Sequence, residues 1–471
     1  MNQPHDPDAG ARAALRIIGP DPANWVPDRP GIDHNVAIIG GGQSGSTLAF
    51  ALRRAGIGKV AILEAAPDEQ STGIWLTAAR MNMLRTPKGL PGPEYGIPAL
   101  SFQAWYEARH GQEAYDAIER IARTDWADYI IWFKHFLGIE PRYGTLVTRI
   151  EPERDHFRLH LETPDGAASE TARKIIIATG FRGGGDKYMP EVLTRNLPPS
   201  RYAHTEDAID FAALRGKTVG VIGAAASAFD AAGVALEHGA ASVHLFCRRD
   251  TPAAIPVIGA RFFPGAIDNF HRLPDADRWR HAVRFFRAGS MPTNDAIERA
   301  VKFPNFHLHL SAPWSNAGER DGQIETVING TTYRLDHVIA GTGYTGDLAA
   351  RPELRDFDGL IMRWRDRYTP PPDEHDELLS AYPYLGAGHE LIEKTPGTAP
   401  LLRHIHVQNP SGFVSLGLPI GDIPCMKREI PAVAARIGAD LFDADLDALR
   451  VRMVGDVPPA FTEELYRSAV R

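Results

Sequence analysis

Two short stretches carry residues whose types and spacing could hold a nucleotide. The first places glycines at 40, 42 and 45, and Glu64 beyond them. The second places Gly223, Ala225 and Ala228 at the matching positions, and has Cys247, Arg248 and Arg249 where the first has its acid. In a strand–turn–helix unit the first glycine makes the tight turn. The second lets the backbone approach a pyrophosphate, and the third allows close helix–strand packing. The helix N-terminus, reached through the turn residues Gln43 and Ser44 in the first unit and Ser227 in the second, presents free N–H groups and the positive end of its dipole to phosphate. An acid at the end of the next strand can accept from a ribose hydroxyl. An arginine there can bind a 2′-phosphate that an acid would repel.

The spacing repeats beyond the turns. Gly56 lies 16 residues after Gly40, and Gly239 lies 16 after Gly223; Glu64 and Cys247 each lie 24 after their first glycine. Two complete strand–turn–helix–strand units imply two dinucleotides. Glu64 suits FAD in the first, and the arginine pair suits NADPH rather than NADH in the second. Ala225 adds one methyl to the second turn, so close approach is harder there but still open.

The elements that must position these residues are readable from pattern. "HNVAII" is a short buried strand, and "STLAFALRRAG" is a helix with Leu48, Ala51, Leu52 and Ala55 on one stripe and Gly56 as its C-cap. "KVAILEA", "YGTLVTRIEP", "HFRLHLE" and "KIIIATG" read as strands. Residues 75–140 read as helical and aromatic-rich. "FRGGGDKYMPEVLTRNLPPS", residues 181–200, is a Gly/Pro-rich boundary loop. "KTVGVIG" restarts the unit, which ends at "SVHLFCRR". "HLHL", "IETVI" and "HVIAGTGY" are strands again, and the C-terminal part holds "HIHV" and "GFVSLGL" as strands before a closing helix. The expected organisation is α/β, with two doubly wound dinucleotide domains. An arm covers 1–33, the FAD domain 34–210 and 340–471, and an NADPH domain is inserted at 211–339.

Composition narrows the class. The chain has 471 residues, 44% hydrophobic and 23% charged, with net charge −8. No basic excess is available for nucleic acid or an anionic membrane. No apolar window is long enough for a membrane span. Two cysteines, far apart, fit a reducing compartment, and the expected home is the cytoplasm. The composition leaves a small molecule as the expected substrate, with a homo-oligomer possible. Histidines paired on "HLHL" and "HIHV" lack the further ligands a metal site needs.

At "GGGQSG", "GIW" (Gly73–Trp75), "IIIATGF", "VIGAAASAFD" with "CRR", and "DHVIAGTGY", the chain resembles the class B flavoprotein monooxygenases. These include flavin-containing monooxygenases, Baeyer–Villiger enzymes and microbial N-hydroxylases. The likeness runs over most of the chain from residue 34. It implies that NADPH reduces FAD and that oxygen is transferred through a flavin hydroperoxide to a small nucleophile, in the best-fitting branch at nitrogen. It places Trp75 and the turns Thr179–Gly180 and Thr342–Gly343 at the cofactors. It brings Asn82, Arg85 and Lys88 of "MNMLRTPK" toward the reaction centre, and Asp422 of "LPIGDIP" toward the ribityl chain. Gly341 stands where the N-hydroxylase motif has alanine. The Baeyer–Villiger fingerprint keeps only His204. The rival readings are a flavin-dependent NADPH oxidase or reductase without oxygenated product, Baeyer–Villiger oxygenation, a nucleotide-sensing regulator, and a disulfide reductase, which lacks its cysteine pair.

Overall fold

A computed structural model describes residues 6–471. The stretch expected to be an arm contains a helix, Pro7–Ile18, capped by Asp6 and started by Pro7 at its first position. Its Ala11 is buried in the core, and Asp8 accepts from the Trp132 indole at 2.8 Å. Next come β1 (His34–Ile39), the helix Gln43–Arg54 and β2 (Val60–Leu63). β1 is buried along Asn35–Ile39, as a central parallel strand must be. Residues 75–140 are less helical than their composition suggests. A ribbon of β3 (Met83–Pro87) and β4 (Arg120–Ala122) occupies part of them. Seven of the residues from 87 to 98 are poor helix formers: Pro87, Pro91, Pro93 and Pro98, which lack a donor, and Gly89, Gly92 and Gly96. The helix Arg123–Leu137 is where the aromatic run places it.

β5 (Leu146–Pro152), β6 (Phe157–Thr163) and β7 (Gly166–Ile177) form an antiparallel meander, and the far end of β7 turns parallel to β1. The chain then crosses to β8 (Tyr202–His204), β9 (Thr218–Ile222), the helix Ala226–Glu237, β10 (Ser242–Phe246) and β11 (Phe306–His309). A three-stranded ribbon of β12 (Gly318–Arg320), β13 (Gln323–Ile328) and β14 (Thr331–Leu335) precedes β15 (His337–Ala340), and β16 (Ile405–Val407) returns to the first sheet.

The order of the first sheet is β2-β1-β7-β6-β5, with β16 on β7; that of the second is β11-β10-β9-β15-β8, all parallel. The protein is α/β with two doubly wound units. By strand pairing, Tyr202–His204 stand with the second sheet, inside the 34–210 segment expected to belong wholly to the first unit. In each sheet the strand order reverses beside the first strand of the unit, between β1 and β7 and between β9 and β15. That reversal opens a crevice at the carboxyl ends of the strands, where ligands bind in open α/β sheets.

One expected strand is absent. "GFVSLGL" forms a single helical turn, Phe413–Leu416, closed by Gly417 in the left-handed region at φ 75°. Every side chain from Phe413 to Leu418 is buried, so no alternation exists to separate strand from helix.

Candidate functional site

The two turns repeat each other bond for bond. Gly40 N–H donates to Leu63 O at 2.8 Å, and Gly223 N–H donates to Phe246 O at 3.0 Å. Ala178 N–H donates to Ile39 O at 2.8 Å, and Gly341 N–H to Ile222 O at 2.8 Å. Gly40 and Gly223 have φ of 107° and 111°, a region glycine alone enters freely. A side chain there would also press on the strand across the crevice, 2.9 Å from the Ala178 carbonyl carbon or 3.1 Å from that of Gly341. Both helices end in the same way too. Gly56 and Gly239 follow the cap residues Ala55 and His238 with φ of 68° and 87°, so Gly56 stands one position beyond the expected cap.

The helix starts are bare. Gly42 and Ala225 are the N-caps, neither gives a side-chain cap, and neither helix has an acid in its first turn. By contrast Ser101 and Thr293 cap their own helices. The uncapped N–H groups and dipole ends are thus left for an anion. Around Gly42 a Cβ would meet no protein atom within 4 Å, so the backbone faces open space where a pyrophosphate would lie. Ala225 has φ −89° and ψ 177°, close to the extended backbone of Gly42. The alanine is therefore unstrained, and only its methyl affects a ligand. Ala225→Gly is expected to hold or tighten NADPH binding, and Ala225→Val to weaken it while the flavin stays bound. Titration of each variant with NADPH checks this; unchanged affinity in Ala225→Val would move the nucleotide off this turn.

The third position explains a departure in the second unit. Gly45 packs so closely that a Cβ would fall on the Gly40 carbonyl oxygen. Ala228 has that methyl, and the methyl it displaces is missing opposite: a Cβ on Gly341 would lie 2.7 Å from the Ala228 Cβ. The matching positions hold Gly45 and Ala178 in the first unit, Ala228 and Gly341 in the second. One methyl has changed sides of the crevice. Gly341→Ala is expected to lower stability by about 1–3 kcal/mol through overpacking. Ala228→Gly on top of it should restore most of that loss, which a double-mutant cycle of thermal unfolding measures.

The arginine pair divides. Arg249 donates to Ala288 O at 2.6 Å and Phe286 O at 3.4 Å, capping the end of the helix Asp275–Ala288. Arg248 is exposed at the cleft, and no hydrogen bond or ion pair engages it among the described residues. It is the free cation of the two.

Both turns open into one cleft of about 1650 Å³, beyond the roughly 300–1,000 Å³ of an ordinary ligand pocket. Gly40, Gly42, Gln43, Ser44, Glu64, Trp75, Thr179, Gly180, Gly223, Ala225, Arg248, Arg249, Thr342, Gly343, Asp422 and Arg85 line it. Gly45 and Ala228 lie beneath the turns as packing residues, and Ser227 faces solvent. The Glu64 carboxylate accepts from Gly41 N–H at 2.6 Å and Ala66 N–H at 2.8 Å, which fixes it at the strand end. Gln43 acts as a clasp. Its amide oxygen accepts from the Trp75 and Trp126 indoles at 3.2 and 3.0 Å, and its amide nitrogen donates to Gly421 O at 2.9 Å.

Several buried polar atoms at the cleft have no protein partner: Thr179 Oγ1, Asn409 Nδ2 and Gln408 Oε1. Asn409 Oδ1 is held by Ser411, which leaves the amide nitrogen as a free donor. Orphaned donors and acceptors beside a bare helix N-terminus are what a flavin dinucleotide, with its pyrophosphate and its ring carbonyls and nitrogens, would satisfy. Glu429 braces this wall, accepting from Gln408 at 2.7 Å and Gly421 N–H at 3.0 Å, and burial pushes its carboxyl up to about 8. Asp422 stands at an N-cap but makes no capping bond. Burial raises its carboxyl, and Arg85 opposes the rise.

Of the three residues expected at the reaction centre, Arg85 alone lines the cleft. Lys88 donates to Tyr115 O at 2.6 Å and Asp116 O at 3.0 Å and stands over the Tyr115 ring. Asn82 is exposed, and its carbonyl accepts from Arg123 N–H. Both flank β3 rather than belong to it, and the tether to the Tyr115 and Asp116 carbonyls draws Lys88 away from the cleft. The sequence reading missed the arginines that rivet this loop. Arg123 donates to the Met81 and Trp75 carbonyls, Arg299 to Arg80 O, and Arg80 to Asp207 O at 2.6 Å. It also missed Trp126, Gln408 and Asn409, which sit in no quoted motif, and passed over Gly41 within "GGGQSG" and Gly421 within "LPIGDIP". His204 is fully buried, donates from Nε2 to Gly343 O at 3.0 Å and accepts from Glu206 N–H at Nδ1. Burial lowers its pKa, so it is a neutral rivet at the crossing between the units.

Comparison with known proteins adds identity to this geometry. Residues 37–256 match the family model of the pyridine nucleotide-disulphide oxidoreductases. Cys247 and Cys425 are both free and buried, so no redox pair faces the cleft. The chain is 40% identical over 430 residues, 90% of each chain, to an FAD-dependent urate hydroxylase of Xanthomonas campestris pv. campestris. Its fold is similar to that of an ornithine hydroxylase from Pseudomonas aeruginosa, at 18% identity and TM-score 0.65 over 88% of this chain and 99% of that one. It is also similar to an ornithine N-hydroxylase from Kutzneria sp. 744 in complex with reduced FAD, NADP+ and L-ornithine, at 17% identity and TM-score 0.66 over 86% and 99%.

Proposed function

This chain belongs to the family of that urate hydroxylase, and from that premise we propose that it is a class B flavoprotein monooxygenase, an NADPH- and FAD-dependent hydroxylase of a small planar heterocycle of the urate kind. The observation that carries the two-cofactor reading is the opening of both turns into one cleft. The net reaction puts one atom of O2 into the substrate as hydroxyl. The other leaves as water with the two electrons of NADPH.

FAD, when bound, supplies the redox and oxygen chemistry. The protein's own residues do the rest. Gly42 and the helix behind it receive the flavin pyrophosphate, Glu64 accepts from the ribose, and Thr179 and Asn409 offer the unpartnered polar atoms to the ring. Arg248 selects the 2′-phosphate. Arg85 brings a cation to the wall beside Asp422, whose carboxyl burial raises and Arg85 lowers, and such a charge favours an anionic reduced ring. The aromatic corner of Phe285, Phe286, Tyr382 and Phe413 lines the cleft with faces that suit a flat substrate. Excluding water there keeps reduction coupled to hydroxylation.

A second reading, N-hydroxylation of an amine, draws on the shared fold with the ornithine hydroxylases. NADPH-driven turnover of the FAD-loaded protein with urate and with a panel of amines decides between them, with product, oxygen uptake and peroxide all measured. Urate consumed with close to one NADPH per product is expected. A hydroxylamine product would install the second reading, and stoichiometric peroxide with every substrate would make the protein an oxidase.

A further inference from the structure

Arg261 closes the turn Val257–Arg261, whose Val257 and Ile258 line the cleft. Its guanidinium stands over the rings of Phe270 and Phe413, 5.1 and 5.3 Å from their centroids. Phe413 also lines the cleft and packs 4.5 Å from Phe285, another wall residue. The Nε and Nη2 groups of Arg261 are buried, and neither has a hydrogen-bond partner. The charge that acts on it is a second cation, Arg284.

Arg261 as a whole is half-buried, and the more deeply buried arginines of this chain are neutralised. Arg173 pairs with Asp445 at 2.8 Å, Arg363 with Asp358 at 3.1 Å, and Arg278 with Asp275. A desolvated guanidinium with unmet donors and a like charge beside it is costly unless an anion joins it. The two aromatic platforms suit a flat partner, and the planar fork of arginine matches two oxygens in one plane.

We infer that Arg261, with Arg284 beside it and Phe270 and Phe413 as platforms, is a binding site for the anionic edge of a planar organic acid, and thereby selects a monoanion as substrate. The assignment of that acid as substrate rests on the reading of a urate-like heterocycle above. Urate is itself a planar monoanion at neutral pH, and Arg261, drawn down only to about 10 by burial and by Arg284, stays a cation there.

The test uses oxidised, FAD-loaded protein. Binding is followed by the change in flavin absorbance and by thermal shift. The planar monoanions are urate, benzoate and orotate; hypoxanthine is the neutral planar control. Arg261→Gln is expected to weaken monoanion binding about 10- to 100-fold, the share of one charge-assisted contact. It should leave hypoxanthine and NADPH binding unchanged and should not lower the ligand-free Tm, because it removes an unmatched charge. Arg261→Lys should recover only part of the affinity, and Arg284→Gln should lose less than Arg261→Gln. Unchanged monoanion affinity in Arg261→Gln overturns the site. So does an equal loss for hypoxanthine with a lowered Tm, which marks a packing role, or a wild type that binds no monoanion at millimolar concentration. If benzoate or orotate depends on Arg261 while urate does not bind, the anion site stands and the urate reading falls.

Discussion

Gly45→Ala leaves the protein without FAD. The added Cβ would occupy the place of the Gly40 carbonyl oxygen, with the Ile38 side chain 3.3 Å away on the other side. A backbone carbonyl cannot step aside as a side-chain tip can, so the helix must move off the strand. The cost exceeds the roughly 1–3 kcal/mol of ordinary overpacking. The same shift parts Gly41 N–H from Glu64 and misaligns the bare helix start with the pyrophosphate. At least a tenfold loss of bound flavin is expected, read from the ratio of flavin to protein absorbance, together with a lower Tm. Gly42→Ala is the control. Its backbone is already extended and its Cβ meets no protein atom, so the fold and Tm should hold, and any loss then reports the ligand's approach. Full flavin loading in Gly45→Ala would show that the cofactor lies elsewhere.

The second large effect falls on coenzyme choice. Arg248→Ala should lower kcat/KM for NADPH about 10- to 100-fold and leave NADH untouched, as the removal of one charge-assisted contact to a 2′-phosphate predicts. Arg249→Ala should behave differently. Its guanidinium holds two carbonyls at a helix end, so its loss lowers Tm and affects both coenzymes alike. Steady-state kinetics with the two coenzymes and thermal unfolding separate these outcomes. Equal kcat/KM for NADPH and NADH in the unsubstituted protein would remove the 2′-phosphate from Arg248 altogether.

The parts of this molecule that the sequence announced are those fixed by backbone geometry. Gly40, Gly223, Gly56 and Gly239 sit at positive φ, and such demands recur at a constant spacing that can be counted. The parts that stayed hidden depend on side chains meeting across the fold. Nothing around Arg249 in the chain says that its partner is the end of a helix 39 residues away. Nothing in "NPSG" tells that Asn409 turns its amide nitrogen free because Ser411 takes its oxygen. Lys88 looked like an active-site cation because its neighbours resemble such a segment; its place was decided by the carbonyls of Tyr115 and Asp116, 27 and 28 residues on. Arg261 carried no signal, since an unmatched charge is visible only once its surroundings show no acid. The substitution of Gly341 for the usual alanine was legible as an oddity, and its cause became visible only with Ala228 opposite.

The Gln43 clasp sets an order of events during synthesis. The turn that receives the flavin leaves the ribosome early, but its amide anchor, the Gly421 carbonyl, is made 378 residues later. At about 5–20 residues per second that interval is roughly 20–75 s. β16 and Asn409 also arrive only near the end. A nascent chain therefore displays an open first unit for most of its translation, and the inserted second unit, contiguous from β9 to β15, can be finished while the first still waits. Flavin capture becomes the last act of maturation, and a ribosome stalled before residue 421 would hold a chain in which coenzyme site and flavin site have come apart.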